Sequence, residues 1–242
     1  MTFLYKNLKV KLFADGADLR GMLEMSSKSY IAGLTTNPTL MRKAGITDYV
    51  SFAKEVLGEI KSKPISFEIF SDDIEQMKNQ GETIASWGEN VYVKVPITNT
   101  KGESTKEVIR YLVNMGVKVN VTAIFTLQQI KEIAEYLNPN IPSYISIFAG
   151  RIADTGRNPE PIIIECLEYL AMVPSAELIW ASPRELLNVF QADKIGCPII
   201  TATSDILKKL DLVDKNLDEY SLETVKMFHT DAVSAGYSIT NE

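Results

Sequence analysis

Eight short apolar runs alternate with longer amphipathic segments along the 242 residues. That alternation predicts an α/β fold, a closed (β/α)8 barrel. Three observations carry the expectation. Most of the runs are apolar on nearly every residue, as strands covered on both faces must be. Eight of them, each followed by a helical pattern, favour closure of the sheet. No G-x-G-x-x-G follows the first run, which weakens the open doubly wound sheet that uses the same alternation. No linker or low-complexity tract interrupts the pattern, so a single domain over residues 1–242 is expected, with an additional helix at the C-terminal end.

Strands are expected at 8–15, 31–36, 65–70, 91–97, 117–125, 144–151, 177–182 and 198–203. Helical periodicity fills the intervals at 16–30, 48–61, 72–87, 103–114, 127–137, 159–171, 183–192 and 204–210, and again at 221–235. The pattern is weakest in 16–30. Ser71-Asp72-Asp73 and Ser221 supply side chains able to cap helix starts. Gly88, Gly116 and the Asn138-Pro139-Asn140 cluster break the chain into turns.

Composition narrows the function classes. Twenty-five basic against 31 acidic residues leave a net charge of −6, which argues against non-specific nucleic-acid binding but leaves room for a local phosphate pocket. Cys166 and Cys197 lack the paired spacing of a disulfide framework or zinc site, and they fit a reducing cytoplasm. With His229 as the only histidine, a histidine metal cluster or a Ser-His-Asp triad has little to work with. No apolar run approaches the roughly 18 residues that span a membrane. The first residues lack the apolar core of a signal peptide. Neither a metal nor a cofactor, a membrane or a nucleic acid is expected as a partner.

One strand carries an oddity. In Val91-Tyr92-Val93-Lys94-Val95-Pro96-Ile97, alternation puts the valines and Ile97 on one face and Lys94 on the other, inside whatever the sheet encloses. A buried ammonium tends to lose its proton, and a neutral amine attacks carbonyls to form a Schiff base. A strand-end lysine that reaches solvent or pairs with a carboxylate is the plainer reading. Barrel chemistry sits at the C-terminal strand ends. Those ends offer Asp15, Thr35-Thr36-Asn37, Glu68, Lys94, Asn120 with Thr122, Ser146 with Arg151, and Ser182 with Arg184. Asp15 can equally cap the next helix, and Asn37 before Pro38 can equally be a turn residue. Glu68, between Phe67 and Ile69, needs a partner if it is buried. Two arginines on neighbouring strands, each with a serine nearby, suit an oxyanion or phosphate clamp.

These segments resemble the transaldolase family, which includes small transaldolases and fructose-6-phosphate aldolases. The resemblance rests on Gly33-Leu34-Thr35-Thr36-Asn37-Pro38, Val93-Lys94-Val95-Pro96, Asn120-Val121-Thr122-Ala123-Ile124-Phe125 and Ile145-Ser146-Ile147-Phe148-Ala149-Gly150-Arg151. It continues through Ala181-Ser182-Pro183-Arg184 and Ser221-Leu222-Glu223-Thr224-Val225-Lys226-Met227-Phe228, so that it covers essentially the whole chain in order. The resemblance implies a metal-free class I mechanism on sugar phosphates. Lys94 would form the imine, Asp15 would move the hydroxyl proton, and Glu68 with Thr122 would hold the water. Asn37 and Asn120 would orient substrate, with Thr35 beside them, and Ser146 would contact its hydroxyls. Arg151, Ser182 and Arg184 would hold the phosphate. Glu68 and Phe148 stand where aldolase members tend to carry glutamine and tyrosine. Both favour transfer of a dihydroxyacetone unit between sugar phosphates in the pentose phosphate pathway over simple aldol cleavage. An aldolase on a related sugar is the alternative, and a non-catalytic binding barrel a remote one. Ile147, in place of a common proline, and Pro183-Arg184-Glu185, in place of Phe-Arg-Asn, depart from the family pattern. Compact members exchange the last helix between subunits, which implies a homo-oligomer, a decamer or pentamer.

Overall fold

The computed structural model describes residues 7–239; the N-terminal residues read for a signal peptide lie outside them. Eight parallel strands close in sequence order: β1 (Lys11–Asp15), β2 (Ile31–Thr35), β3 (Ile65–Glu68), β4 (Val91–Pro96), β5 (Val119–Ile124), β6 (Ser143–Ile147), β7 (Ala176–Trp180) and β8 (Ile199–Thr203), with β8 paired to β1. The expected barrel is therefore present. Register sets the height of each side chain inside it: Asp15 lies beside Thr35, Glu68 beside Lys94, and Lys94 beside Asn120.

The outer face of the strands is aliphatic, as in Val91, Val93 and Val95 of β4, and it packs under the helices in one continuous core. The lower interior is a separate plug of Phe13, Tyr92, Tyr144, Ile179 and Ile199. Tyr92 and Tyr144 stack at 4.1 Å between ring centroids, and Phe13 meets Tyr144 edge-on at 5.6 Å. Below, Lys11 pairs with Glu177. The plug fills the barrel's lower half and leaves the polar strand ends above it.

The helices follow the expected order with shifted ends. They are α1 (Leu19–Ser27), α2 (Pro38–Lys43), α3 (Tyr49–Glu59), α4 (Ile74–Ala85), α5 (Lys106–Asn114), α6 (Leu127–Ala134), α7 (Ala149–Ala153), α8 (Glu160–Leu170), α9 (Leu187–Lys194), α10 (Ser204–Leu207) and α11 (Leu217–Ser234), with a 3-10 turn at Lys208–Leu212 before the last. Asp18, not Asp15, caps α1, which leaves the Asp15 carboxylate free for the interior. Asp73 caps α4 from the expected cluster. Asn216, not Ser221, caps α11, because its side chain accepts from Asp218 N–H and Glu219 N–H one turn earlier.

Two helices were not expected. Asn37 and Pro38 begin α2 rather than a plain turn: the Asn37 side chain accepts from Leu40 N–H, and proline suits the first helical position. The strand expected over 144–151 stops at Ile147, and α7 starts at Ala149. The cause is Gly150: a Cβ there would lie 1.6 Å from the Ser182 carbonyl oxygen, so only glycine lets the chain turn against the end of β7. Arg151 therefore projects from a helix and not from a strand.

Gly33 plays a similar part inside the barrel. An added Cβ would sit 2.5 Å from the Phe13 ring, which Tyr144 confines from another side. Gly33→Ala is expected to lose roughly 1–3 kcal/mol through overpacking, read as a lower urea midpoint at unchanged slope. Adding Phe13→Leu should recover part of the loss; a Gly33→Ala variant as stable as the parent would contradict the tight fit.

Candidate functional site

Above the plug, the strand ends open into a cavity of about 490 Å3. Asp15, Thr35, Asn37, Glu68, Lys94, Thr122, Ser146, Phe148, Arg151, Ser182 and Arg184 all line it, drawn from seven of the eight strand ends and the turns that follow them. Its volume falls in the range of small-molecule sites.

Lys94 is the centre. It is only 6% exposed. Its Nζ lies 3.1 Å from Glu68 Oε2 and donates to the Thr36 carbonyl oxygen at 3.1 Å. Each contact follows from register, because Glu68 is the direct strand neighbour of Lys94. The ammonium that alternation aimed at the interior is thus held by a carboxylate and a backbone oxygen. That answers the cost of burying it.

Asp15 is the second carboxylate. Thr35 Oγ1 donates to its Oδ1 at 2.8 Å, and Asn37 Nδ2 approaches Oδ2 at 3.4 Å. Thr35 and Thr201 hydroxyls meet at 2.6 Å, so the Asp15 carboxylate ends a hydroxyl chain that runs back to β8. The carboxyl group touches the cavity yet is densely surrounded by protein. This desolvation pushes its pKa above the usual carboxylate value; Lys94 opposes the shift, and the like charge of Glu68 adds to it. A carboxylate whose pKa is raised is a stronger base than an ordinary one, which suits a proton acceptor.

Thr122 carries an unmet hydroxyl. Its Oγ1 and the Trp180 indole nitrogen are the described buried side-chain atoms without a hydrogen-bond partner. A buried polar atom left open at a cavity wall suits a water or substrate group. The β5–β6 ladder slips between Val121 and Ile124, and Ala123 adopts φ 60°, so the end of β5 turns into the cavity. Ser182 also has φ 60°. Left-handed backbone at non-glycine residues costs about 1–3 kcal/mol each, and here it occurs at two strand ends that line one cavity.

The rim is basic. The Arg151 guanidinium lies over the Phe148 ring at 5.7 Å. Arg184 donates through Nη1 to the Ser182 hydroxyl at 3.0 Å and to its carbonyl at 3.3 Å. Its Nε meets Asp154 Oδ1 at 2.9 Å, and Nη2 meets Oδ2. Asp154, which the sequence left unread, thus holds Arg184 flat against the rim. The guanidinium in turn pulls the Asp154 carboxyl below its usual pKa. Asn120 departs from expectation. It is fully buried and does not line the cavity; it donates to Ser66 Oγ at 2.9 Å and accepts from the cavity-lining Ser146 Oγ at 2.8 Å.

Sequence reading missed Ser66, Thr201 and Tyr49. Thr201 was legible, since Ile199, Thr201 and Thr203 alternate onto the inner face of β8. Tyr49 gave no signal, because it acts from α3 on the backbone of a distant strand. Among the described residues no group of three or more His, Cys, Asp or Glu side chains is placed to hold a metal ion.

Burial at Asp15 gives a stability prediction. Its native carboxyl keeps a proton to higher pH than the unfolded one, so its contribution is full below the unfolded value and is lost as pH rises through the native one. Asp15→Asn removes that loss. Thermal melts should show the variant more stable than the parent at pH 7, with the gap closing toward about pH 4. A variant less stable at pH 7 would contradict the desolvation reading.

The profile of the transaldolase/fructose-6-phosphate aldolase family matches residues 12–239. A probable transaldolase of Sulfurihydrogenibium sp. (strain YO3AOP1) is 33% identical over 202 residues, covering 83% of this chain and 88% of that one. A probable transaldolase of Brucella ovis is 32% identical over 221 residues, covering 90% and 97%. By shape, the chain is similar to a putative dihydrodipicolinate synthase family protein from Coccidioides immitis, with a TM-score of 0.59, 12% identity and coverage of 96% and 80%; that likeness shows the barrel fold alone. With the matched profile spanning the strand ends that build the cavity, the chain belongs to the transaldolase/fructose-6-phosphate aldolase family.

Proposed function

We propose that the protein is a transaldolase working through a Schiff base on Lys94. The observation that carries the reading is the Lys94 side chain itself, 6% exposed, with a carboxylate 3.1 Å from its Nζ and a cavity opening directly onto it. Lys94, freed of its proton to Glu68, attacks the ketose carbonyl. Glu68 then returns the proton as the carbinolamine loses water, and Thr122, with its open hydroxyl, holds that water. Asp15 removes the proton of the hydroxyl next to the scissile bond. The carbon–carbon bond breaks, an aldose phosphate leaves, and the bonding pair moves into the imine to give a three-carbon enamine. The second aldose phosphate takes up that carbon, with Asp15 returning the proton, and hydrolysis of the imine restores Lys94. Asn37 orients the substrate beside Asp15, Ser146 meets its hydroxyls, and Arg151, Ser182 and Arg184 hold its phosphate. Asn120 acts through Ser146 rather than by touching substrate.

Transfer, as opposed to cleavage, is favoured by Glu68, which can carry a proton to water as glutamine cannot. It is favoured also by Phe148, which packs on Phe125 at 5.9 Å and brings no hydroxyl to the enamine. The named relatives point the same way. The reading places the protein in the cytoplasm and the pentose phosphate pathway; Cys166 and Cys197 are buried free thiols, which suits a reducing compartment.

Fructose 6-phosphate followed by borohydride should tag Lys94 in the parent, and Lys94→Ala and Lys94→Arg should each lose turnover by a factor of at least about 1,000. Fructose 6-phosphate alone should release little dihydroxyacetone, and added erythrose 4-phosphate should give sedoheptulose 7-phosphate. Abundant release without an acceptor would move the assignment to an aldolase. Retained turnover in either lysine variant would end the Schiff-base reading.

The chain also suits a homo-oligomer. No residue of α11 is buried, and Leu217 (79% exposed), Val225 and Phe228 stand bare on it. A helix with so many apolar side chains exposed calls for a partner. Sedimentation should report a particle several times the mass of one chain, and removal of α11 should shrink it; a monomer with α11 intact would contradict this.

A further inference from the structure

The seam between β2 and β3 is one of the two shortest in the barrel. Register pairs only Leu34 with Ile65 and Thr35 with Ser66. Two rungs are regular: Leu34 N–H donates to the Pro64 carbonyl at 2.8 Å, and Thr36 N–H donates to the Ser66 carbonyl at 3.2 Å. In a parallel ladder the next rung would run from Glu68 N–H to the Thr36 carbonyl. It is not made. Glu68 N–H donates instead to the Tyr49 hydroxyl at 2.8 Å, and that hydroxyl donates back to the Glu68 carbonyl at 2.9 Å. The Thr36 carbonyl, left without its strand partner, accepts from Lys94 Nζ at 3.1 Å.

We propose that Tyr49 is a positioning residue that holds the β2–β3 seam open at its last rung, so that the Thr36 carbonyl is free for Lys94 and Glu68 is fixed beside it. The inference rests on the Schiff-base reading for its effect on activity, but its geometric half stands apart from that reading. The hydroxyl satisfies both backbone groups of Glu68: the N–H, which the Thr36 carbonyl would otherwise take, and the carbonyl, which faces Pro38 and its missing N–H. Tyr49 can hold one position because its ring is boxed by Phe67, Phe70 and Trp87, with centroids at 6.4, 5.4 and 6.1 Å. Burial raises the phenol's pKa well above its usual value, which keeps the proton on the oxygen and so preserves the bond to the Glu68 carbonyl. Without the hydroxyl, the seam can close by one rung. Glu68 N–H then takes the Thr36 carbonyl and Lys94 loses one of its two anchors.

Tyr49→Phe keeps the aromatic box and deletes only the hydroxyl. Trapping of Lys94 with fructose 6-phosphate and borohydride should slow by about tenfold or more, the scale of one lost buried hydrogen-bonding group. KM for fructose 6-phosphate should stay within about twofold, because the phosphate rim is untouched. Trp87→Phe perturbs the same box without touching either bond and should trap at close to the parent rate. Equal slowing in both variants, or parent-like trapping in Tyr49→Phe, overturns the proposal. If the parent itself forms no adduct, the Schiff-base reading fails separately. Amide exchange at Glu68 then decides the seam: a changed protection in Tyr49→Phe supports it, and an unchanged one overturns it.

Discussion

A buried ammonium sits beside a carboxylate at the same height of two neighbouring strands, and the organisation of the site follows from keeping that pair in place. Lys94 and Glu68 are adjacent only because β3 and β4 pair in this register. A slip of one residue in either strand would turn its charged side chain to the helix-covered face and leave the other without its partner. The aliphatic outer faces of these strands hold the register against slippage. The aromatic plug below fills the lower interior and leaves the polar groups at the upper end. Hydrophobic packing therefore sets the height and direction of the charges, and the charges make the surface of the cavity.

Irregular backbone borders the cavity at several strand ends, and the β1–β2 ladder also shifts lower down, between Leu12 and Phe13. The β2–β3 ladder gives up a rung, the β5–β6 ladder slips, and Ala123 and Ser182 take left-handed backbone. These four departures lie at strand ends that border the cavity. A regular ladder satisfies every backbone group within itself and leaves none to hold a side chain; an opened one releases carbonyls such as that of Thr36. Irregularity at strand ends around a cavity, supported by a tightly packed lower half, is the pattern expected when local strain is held by surrounding structure.

Much of this was legible in the residues. Alternation along 91–97 aimed Lys94 inward, and the same rule placed Glu68, Asn120 and Thr122 on inner faces. The rest was hidden for identifiable reasons. Asn120 reads as a cavity residue because alternation gives direction but not what the side chain meets; level with Lys94, its amide is taken up between Ser66 and Ser146. Arg151 reads as a strand residue because an apolar run does not show where it ends; the close approach at Gly150 decides that. Asp154 and Tyr49 act on groups 30 and 19 residues away, through contacts that no local pattern encodes.

By itself the sequence determined the number and order of strands, the face each side chain takes, and the chemical groups available at the strand ends. These depend on local periodicity and on the identity of each side chain. Only the tertiary structure decided which of those groups meet: Lys94 with Glu68 and Thr36, Asp15 with Thr35 and, through it, Thr201, and Arg184 with Asp154. The reason is that relative height inside a barrel is set by inter-strand register and by glycine-permitted close approach. Both are properties of paired elements, and neither is present in any one of them alone.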